Sequence, residues 1–207
     1  MGMDESQQAT GGPSRRSVLR GGLLAGAGLA TIGTASAVLT GTAKASVLNP
    51  QPQWSYCIYC QNMYHEPQTG GACVATSEDH VYGAGYFNYD IYYGSEYSNT
   101  SNPQGNWNWC RACSCLFHVG GDNGGCFGQV SFITGNYGPH LTGTLNYQLN
   151  WGGPGASNLQ TGWLYCFYCH VLYYPKGGSN GYCCISPSGE HDGSGSFNYD
   201  VHHSGTE

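Results

Sequence analysis

The chain has 207 residues, among them 11 Cys, 34 Gly and 17 Tyr, and only 9% are charged. So few charges do not suit a charge-rich disordered tail, and so many cysteines do not suit an ordinary cytosolic domain. Beyond residue 45 two basic residues, Arg111 and Lys176, stand against ten acidic ones, a formal net charge of −8; phosphate neutralisation by Lys and Arg is out of reach, which excludes nucleic acid as a partner and disfavours anionic lipid.

In chain order, residues 1–45 are unlike the rest. "SRRSVLR" (Ser14 to Arg20) precedes a Gly/Ala-rich apolar stretch that ends in "AKA" at Ala45. A basic region, an apolar core and a small-x-small site predict a secretory signal peptide, with Ala37 as an alternative cleavage point. Paired Arg15 and Arg16, the weakly apolar core and Lys44 near the cut resemble a twin-arginine signal. The expected location is therefore extracellular, with no membrane span left after cleavage. A short segment, 46–53, then leads into one domain's length of chain.

That domain repeats itself three times, over 54–94, 107–152 and 163–205. The openings are Trp54-Ser-Tyr-Cys57-Ile-Tyr-Cys60, Trp107-Asn-Trp-Cys110-Arg-Ala-Cys113 and Trp163-Leu-Tyr-Cys166-Phe-Tyr-Cys169. A Gly-rich turn and a further Cys follow each opening: Cys73, Cys126, and the pair Cys183 and Cys184. A histidine comes next: His80, His140, His191. Each copy closes with "GAGYFNYD" (83–90), "TGTLNYQL" (142–149) or "GSGSFNYD" (193–200). Aromatic and β-branched runs cut by Gly, Asn and Pro, without helical periodicity, predict an all-β fold. "YFNYDIYY" and "LNYQLNW" read as strands, and "WSYCIYC" as a strand entering a tight turn. "SNTSNPQGN" and "GGPGASNLQTG" read as linkers. A unit of about forty residues cannot bury enough apolar surface alone, so it needs a staple or its neighbours. The expected arrangements are a pseudo-threefold, β-trefoil-like closure or beads in a row.

The cysteines must supply the staple. "CFYCH" suits haem attachment, but the residue matching His170 is Gln61 in the first copy and Ser114 in the second. A thioredoxin-like pair needs a helix N-terminus, which no copy offers. Disulfides are the usual use of cysteine in a secreted chain, yet the total is odd and the shared cysteines number three per copy. Cys-x-x-Cys, a third Cys and a His instead make a closed tetrahedral zinc set, one structural zinc per repeat. The expected sets are Cys57, Cys60, Cys73, His80; Cys110, Cys113, Cys126, His140; and Cys166, Cys169, Cys184, His191. In the third set, spacing to the histidine favours Cys184 and the turn "NGYC" favours Cys183. In the second, the long Cys126-to-His140 gap leaves His118 or Cys115 as substitutes. Twin-arginine export carries folded proteins from a reducing cytoplasm, which favours thiolate–zinc over disulfides.

The unit W-x-[WY]-C-x-x-C, G-x-C, H, G-x-[GT]-x-x-[NY]-Y resembles a tandem Cys-rich repeat of secreted bacterial proteins, notably actinobacterial ones, over nearly all of 54–203. This chain departs from it after the third cysteine, where "CVATSEDH" lacks the proline and glycines and "CFGQVSFITGNYGPH" carries an insertion. The resemblance implies architecture and secretion.

For function, a surface of Tyr, Asn, Ser and Gly suits binding. Asn88, Asn146 and Asn198 would form three equivalent ligand positions if they face outward, with Tyr89, Tyr147 and Tyr199 in the core. Glu78, Asp79, Glu190 and Asp192 sit beside the candidate histidines and are expected to orient them. No nucleophile elbow, H-E-x-x-H or phosphate loop occurs. The sequence thus predicts a secreted, non-catalytic binding or structural module, with a glycan or cell-surface component as partner. The alternatives are a metal-handling or thiol redox-buffering protein and a disulfide-scaffolded secreted hydrolase.

Overall fold

The computed structural model describes residues 49–67, 71–83, 87–94, 102–131, 133–153 and 157–206. The expected signal segment, 1–45, and residues 46–48 of the short mature N-terminal segment lie outside them. The described residues hold eleven strands and no helix, an all-β fold. Copy 1 contributes β1 (Asn49–Tyr56), β2 (Met63–His65) and β3 (Phe87–Tyr93). Copy 2 contributes β4 (Pro103–Trp109), β5 (Leu116–His118), β6 (Cys126–Val130), β7 (Tyr137–Gly138) and β8 (Tyr147–Trp151). Copy 3 contributes β9 (Leu159–Tyr165), β10 (Leu172–Tyr173) and β11 (Tyr199–Thr206). Both linkers are shorter than expected, because β4 and β9 start at Pro103 and Leu159.

Within each copy the Trp-bearing strand pairs antiparallel with the short strand and with the closing strand. The register sets Trp54 opposite His65 and Tyr89, and Trp107 opposite His118 and Tyr147; Trp163 faces Tyr199. Between copies, the three closing strands pair with one another in all three combinations. Tyr93 lies opposite Tyr147, Trp151 opposite Tyr199, and His203 opposite Tyr89. The short strands close a second ring through bridges Tyr64–Cys115, Phe117–Val171 and Asn62–Tyr173. The copies therefore surround a pseudo-threefold axis, and beads in a row do not occur.

Aromatic packing follows the same cycle. Trp54, Trp107 and Trp163 have no exposed surface. Each meets a tyrosine edge-on: Trp54 and Tyr147 at 5.3 Å, Trp107 and Tyr199 at 5.1 Å, Trp163 and Tyr89 at 5.2 Å. The tyrosine comes from copy 2, copy 3 and copy 1 in turn. A glutamine three residues before each Trp satisfies the polar ends that this burial would orphan. The indole Nε1 of Trp54, Trp107 and Trp163 donates to Gln51, Gln104 and Gln160 Oε1 at 3.2, 3.2 and 2.9 Å. The same oxygens accept the hydroxyls of Tyr147, Tyr199 and Tyr89, the last at 2.6 Å.

Between that glutamine and the tryptophan the first strand bulges, with left-handed φ at Gln53 (70°), Asn106 (64°) and Gly162 (97°). The bulge frees a backbone N–H, which an asparagine collects: Asn146 Oδ1 accepts from Asn106 N at 3.1 Å and Asn198 Oδ1 from Gly162 N at 2.7 Å. The fold thus gives two of the three expected ligand asparagines a structural task. Asn88 holds the equivalent place on β3.

Candidate metal centres

Each Cys-x-x-Cys closes a tight turn at the end of its Trp strand. The N–H of the residue after the second cysteine returns to the first cysteine's carbonyl: Gln61 to Cys57, Ser114 to Cys110 and His170 to Cys166, each at 2.9 Å. Those three residues are left-handed, with φ of 64°, 59° and 63°. His170 is therefore the turn residue of its copy, and "CFYCH" is a feature of the turn rather than a haem signature. The third cysteine opens a second turn. In copy 1, Ser77 N donates to Cys73 O and Cys73 N to Glu78 O at 2.8 and 2.7 Å; in copy 3, Cys183 N donates to Gly189 O at 3.0 Å. In copy 2, the insertion is the β6–β7 hairpin, where Cys126 pairs with Gly138, just ahead of His140. That hairpin absorbs the long gap.

These turns assemble three clusters, Cys57–Cys60–Cys73–His80, Cys110–Cys113–Cys126–His140 and Cys166–Cys169–Cys183–His191, whose ligand atoms lie within 4.8 Å of one another. Within them the sulfur pairs Cys57–Cys73, Cys110–Cys126 and Cys166–Cys183 are 3.8, 3.6 and 3.9 Å apart. The second cysteine of each Cys-x-x-Cys, Cys60, Cys113 or Cys169, stands 3.4 Å from the Nδ1 of His80, His140 or His191. A tetrahedral ion with bonds of about 2.3 Å to sulfur and about 2.0 Å to nitrogen has edges of about 3.8 Å between sulfurs and about 3.5 Å from sulfur to nitrogen. The donor sets fit one such ion each. All 11 cysteines are free.

Cys184 is a correction: Cys183 completes the third cluster, while Cys184 Sγ points at Gly125 O, 3.8 Å away in copy 2. The copy 3 turn is one residue longer than that of copy 1, so counting back from the histidine selects the wrong sulfur. The glycine two residues before each third cysteine was the better guide. A Cβ on Gly71, Gly124 or Gly181 would come within 2.6 Å of the next copy's turn, at Ser114, Cys169 and Cys60 respectively. Of the substitutes weighed for copy 2, His118 packs edge-on against Trp107 at 5.3 Å. Cys115 lies 3.5 Å from His80 Nε2, outside its own copy's cluster.

The histidines are held from behind. Each ring lies on an aromatic of its own copy: His80 on Tyr64, His140 on Phe117, His191 on Tyr173, at 4.7, 4.6 and 4.7 Å. With Nδ1 facing the thiols, Nε2–H donates to the carbonyl of the second cysteine in the next copy. His80 reaches Cys113 O at 3.0 Å, His140 reaches Cys169 O at 2.9 Å, and His191 reaches Cys60 O at 3.2 Å. Backbone carbonyls, rather than Glu78, Asp79, Glu190 or Asp192, orient these rings. Each cluster is thereby locked by its neighbour, around the full circle.

Hydrogen bonding and burial divide the thiols of each cluster. Hydrogen bonds from Cys113 and Cys126 hold the Cys110 thiol well below its ordinary value, while Cys113 and Cys126 are pushed far up, first by hydrogen bonding to Cys110. In copy 3, Cys166 is lowered by Cys169 and Cys183; burial raises Cys169, and the bond to Cys166 pushes Cys183 up to about 11. Copy 1 repeats the split, with Cys73 lowered by Cys57 and Cys60 and Cys60 raised by burial. Three thiolates cannot share one buried pocket unless a positive ion stands between them.

Fold and clusters together define a class: an all-β, cysteine-rich repeat protein with three Cys3His groups able to hold metal ions. Comparison of the chain with family models, curated proteins and solved structures finds no match. Among the described residues no helix is long and apolar enough to cross a membrane.

Proposed function

We propose that each Cys3His group binds one zinc ion as a structural staple, and that the protein is a secreted, non-catalytic binding module whose ligand is a glycan at a cell surface. The observation that carries this reading is closure. All four donors of each cluster come from the protein, and each histidine's second nitrogen is already engaged by the next copy. A site with no open position holds structure rather than activating water. Three thiolates with one imidazole in a tetrahedron suit zinc among the common ions. Metal handling or thiol buffering needs accessible sulfur, whereas ten of the 11 cysteines are buried. The twin-arginine-like leader agrees with metal loading in the cytoplasm before export.

The test is metal analysis with a free-thiol count on the mature protein. Three zinc ions per chain, no disulfide, and loss of the fold on chelation are expected. Absence of stoichiometric metal with thiols oxidised in pairs overturns the proposal.

A further inference from the structure

Threefold repetition separates what the fold needs from what it does not. The tryptophans, glutamines, core tyrosines, cysteines and ligand histidines recur in every copy. The exposed positions around the cysteine turns do not. The second spacer residue of the Cys-x-x-Cys is Tyr59 in copy 1, Ala112 in copy 2 and Tyr168 in copy 3. The residue before the third cysteine is Ala72, Gly125 and Tyr182. Only where the copy 3 loop covers the copy 1 turn do both positions carry a tyrosine, and there Tyr59 and Tyr182 line one cleft. Both rings are open to solvent, Tyr59 at 51% and Tyr182 at 55%. Ile58, Val81 and Tyr82, beside the same turn, are exposed as well.

Tyr59 and Tyr182 line an open cleft of about 280 Å3 together with Ser179, Ser188 and Glu190. We propose that this cleft binds a saccharide, the sugar's apolar C–H faces lying on the two rings and its hydroxyls bonding to the serine hydroxyls and the Glu190 carboxylate. The proposal rests on the glycan-binding reading above and gives it a place. The lining carries a carboxylate and no cation, so an anionic ligand is repelled and a neutral, polyhydroxylated one is served by every group present. The backbone that carries the two rings is anchored at the clusters. Tyr59 lies between two cluster cysteines and Tyr182 directly before a third, and the Tyr182 N–H donates to Cys60 O at 3.3 Å. Backbone anchored in this way loses little freedom when a ligand arrives.

The experiment uses the full mature protein with its metal in place. Retention on cellulose, chitin and bacterial peptidoglycan is measured first, then titration with a soluble oligosaccharide of whichever retains it. Y59A and Y182A should each weaken binding by about tenfold or more, with unchanged metal content and melting temperature. F167A, at an exposed turn position of copy 3, should bind as the wild type does. If the wild type is retained while Y59A and Y182A bind equally well, the cleft is wrong and the glycan reading survives. If no polysaccharide retains the wild type, both fail. If tetramethylammonium competes for the cleft at the concentrations where it occupies it, the rings serve a cation and the saccharide proposal is overturned.

Discussion

Replacing His140 tests whether the three clusters work as one. In the structure its Nδ1 faces Cys113 Sγ at 3.4 Å, its Nε2–H reaches Cys169 O in the next copy at 2.9 Å, and its ring lies on Phe117 at 4.6 Å. H140A removes all three interactions. The orphaned carbonyl costs about 1–3 kcal/mol and the lost stack about 0.5–1.5 kcal/mol. The proposed zinc would matter far more, since a structural zinc contributes about 10–16 kcal/mol against a total domain stability of about 5–15 kcal/mol. Losing the copy 2 ion should therefore unfold the whole domain, because β8 pairs with both β3 and β11. H140C keeps four donors and loses only the hydrogen bond and the stack, a cost of about 2–4 kcal/mol. The assay is urea unfolding followed by tryptophan fluorescence, with metal counted by mass spectrometry. H140A should show no cooperative transition; H140C should hold three ions and unfold in one step at lower urea. A wild-type midpoint for H140A would refute the argument. So would separate melting of copy 2 with the rest intact.

C183S, by removing a copy 3 donor, should abolish the cooperative transition as H140A does, whereas C184S should keep three ions and the wild-type midpoint; metal analysis and urea unfolding of the two variants decide between the adjacent sulfurs. Q104A strips the acceptor from both Trp107 Nε1 and the Tyr199 hydroxyl and should cost about 2–4 kcal/mol in chemical denaturation, against about 1 kcal/mol for Y199F, which leaves the glutamine its indole partner. Burial lowers the imidazole pKa of His65, His118, His202 and His203. The unfolded chain then takes up protons that the folded chain refuses, so stability should fall as the pH drops through the ordinary value of 6.5 and level off below the lowered values. With metal content checked at each pH, H203F should flatten that slope; an unchanged slope would remove His203 from the account.

Much of the molecule was legible in the spacing of residues along the chain. Strand alternation, the Cys-x-x-Cys turn and the third cysteine with its histidine are local properties, and they sufficed for an all-β repeat with candidate sets of three thiols and an imidazole. The choice between Cys183 and Cys184 was not so legible. It turns on one extra residue in a loop, and Gly181 against Cys60 settles it only once another copy is packed there. The same holds for the glutamines. Gln51 fell in the short segment before the first repeat and Gln104 in a linker, yet they accept from tyrosines 96 and 95 positions away.

The sequence by itself determined that there are three like units and which donors each brings, because a donor set gathered by two turns depends on spacing within one unit. Only the tertiary structure decided that each unit leans on the next. A histidine's partner carbonyl, a glutamine's second donor and the two tyrosines of the cleft all lie across a boundary between copies, and the spacing within one unit carries no mark of which neighbour it will meet until the circle closes.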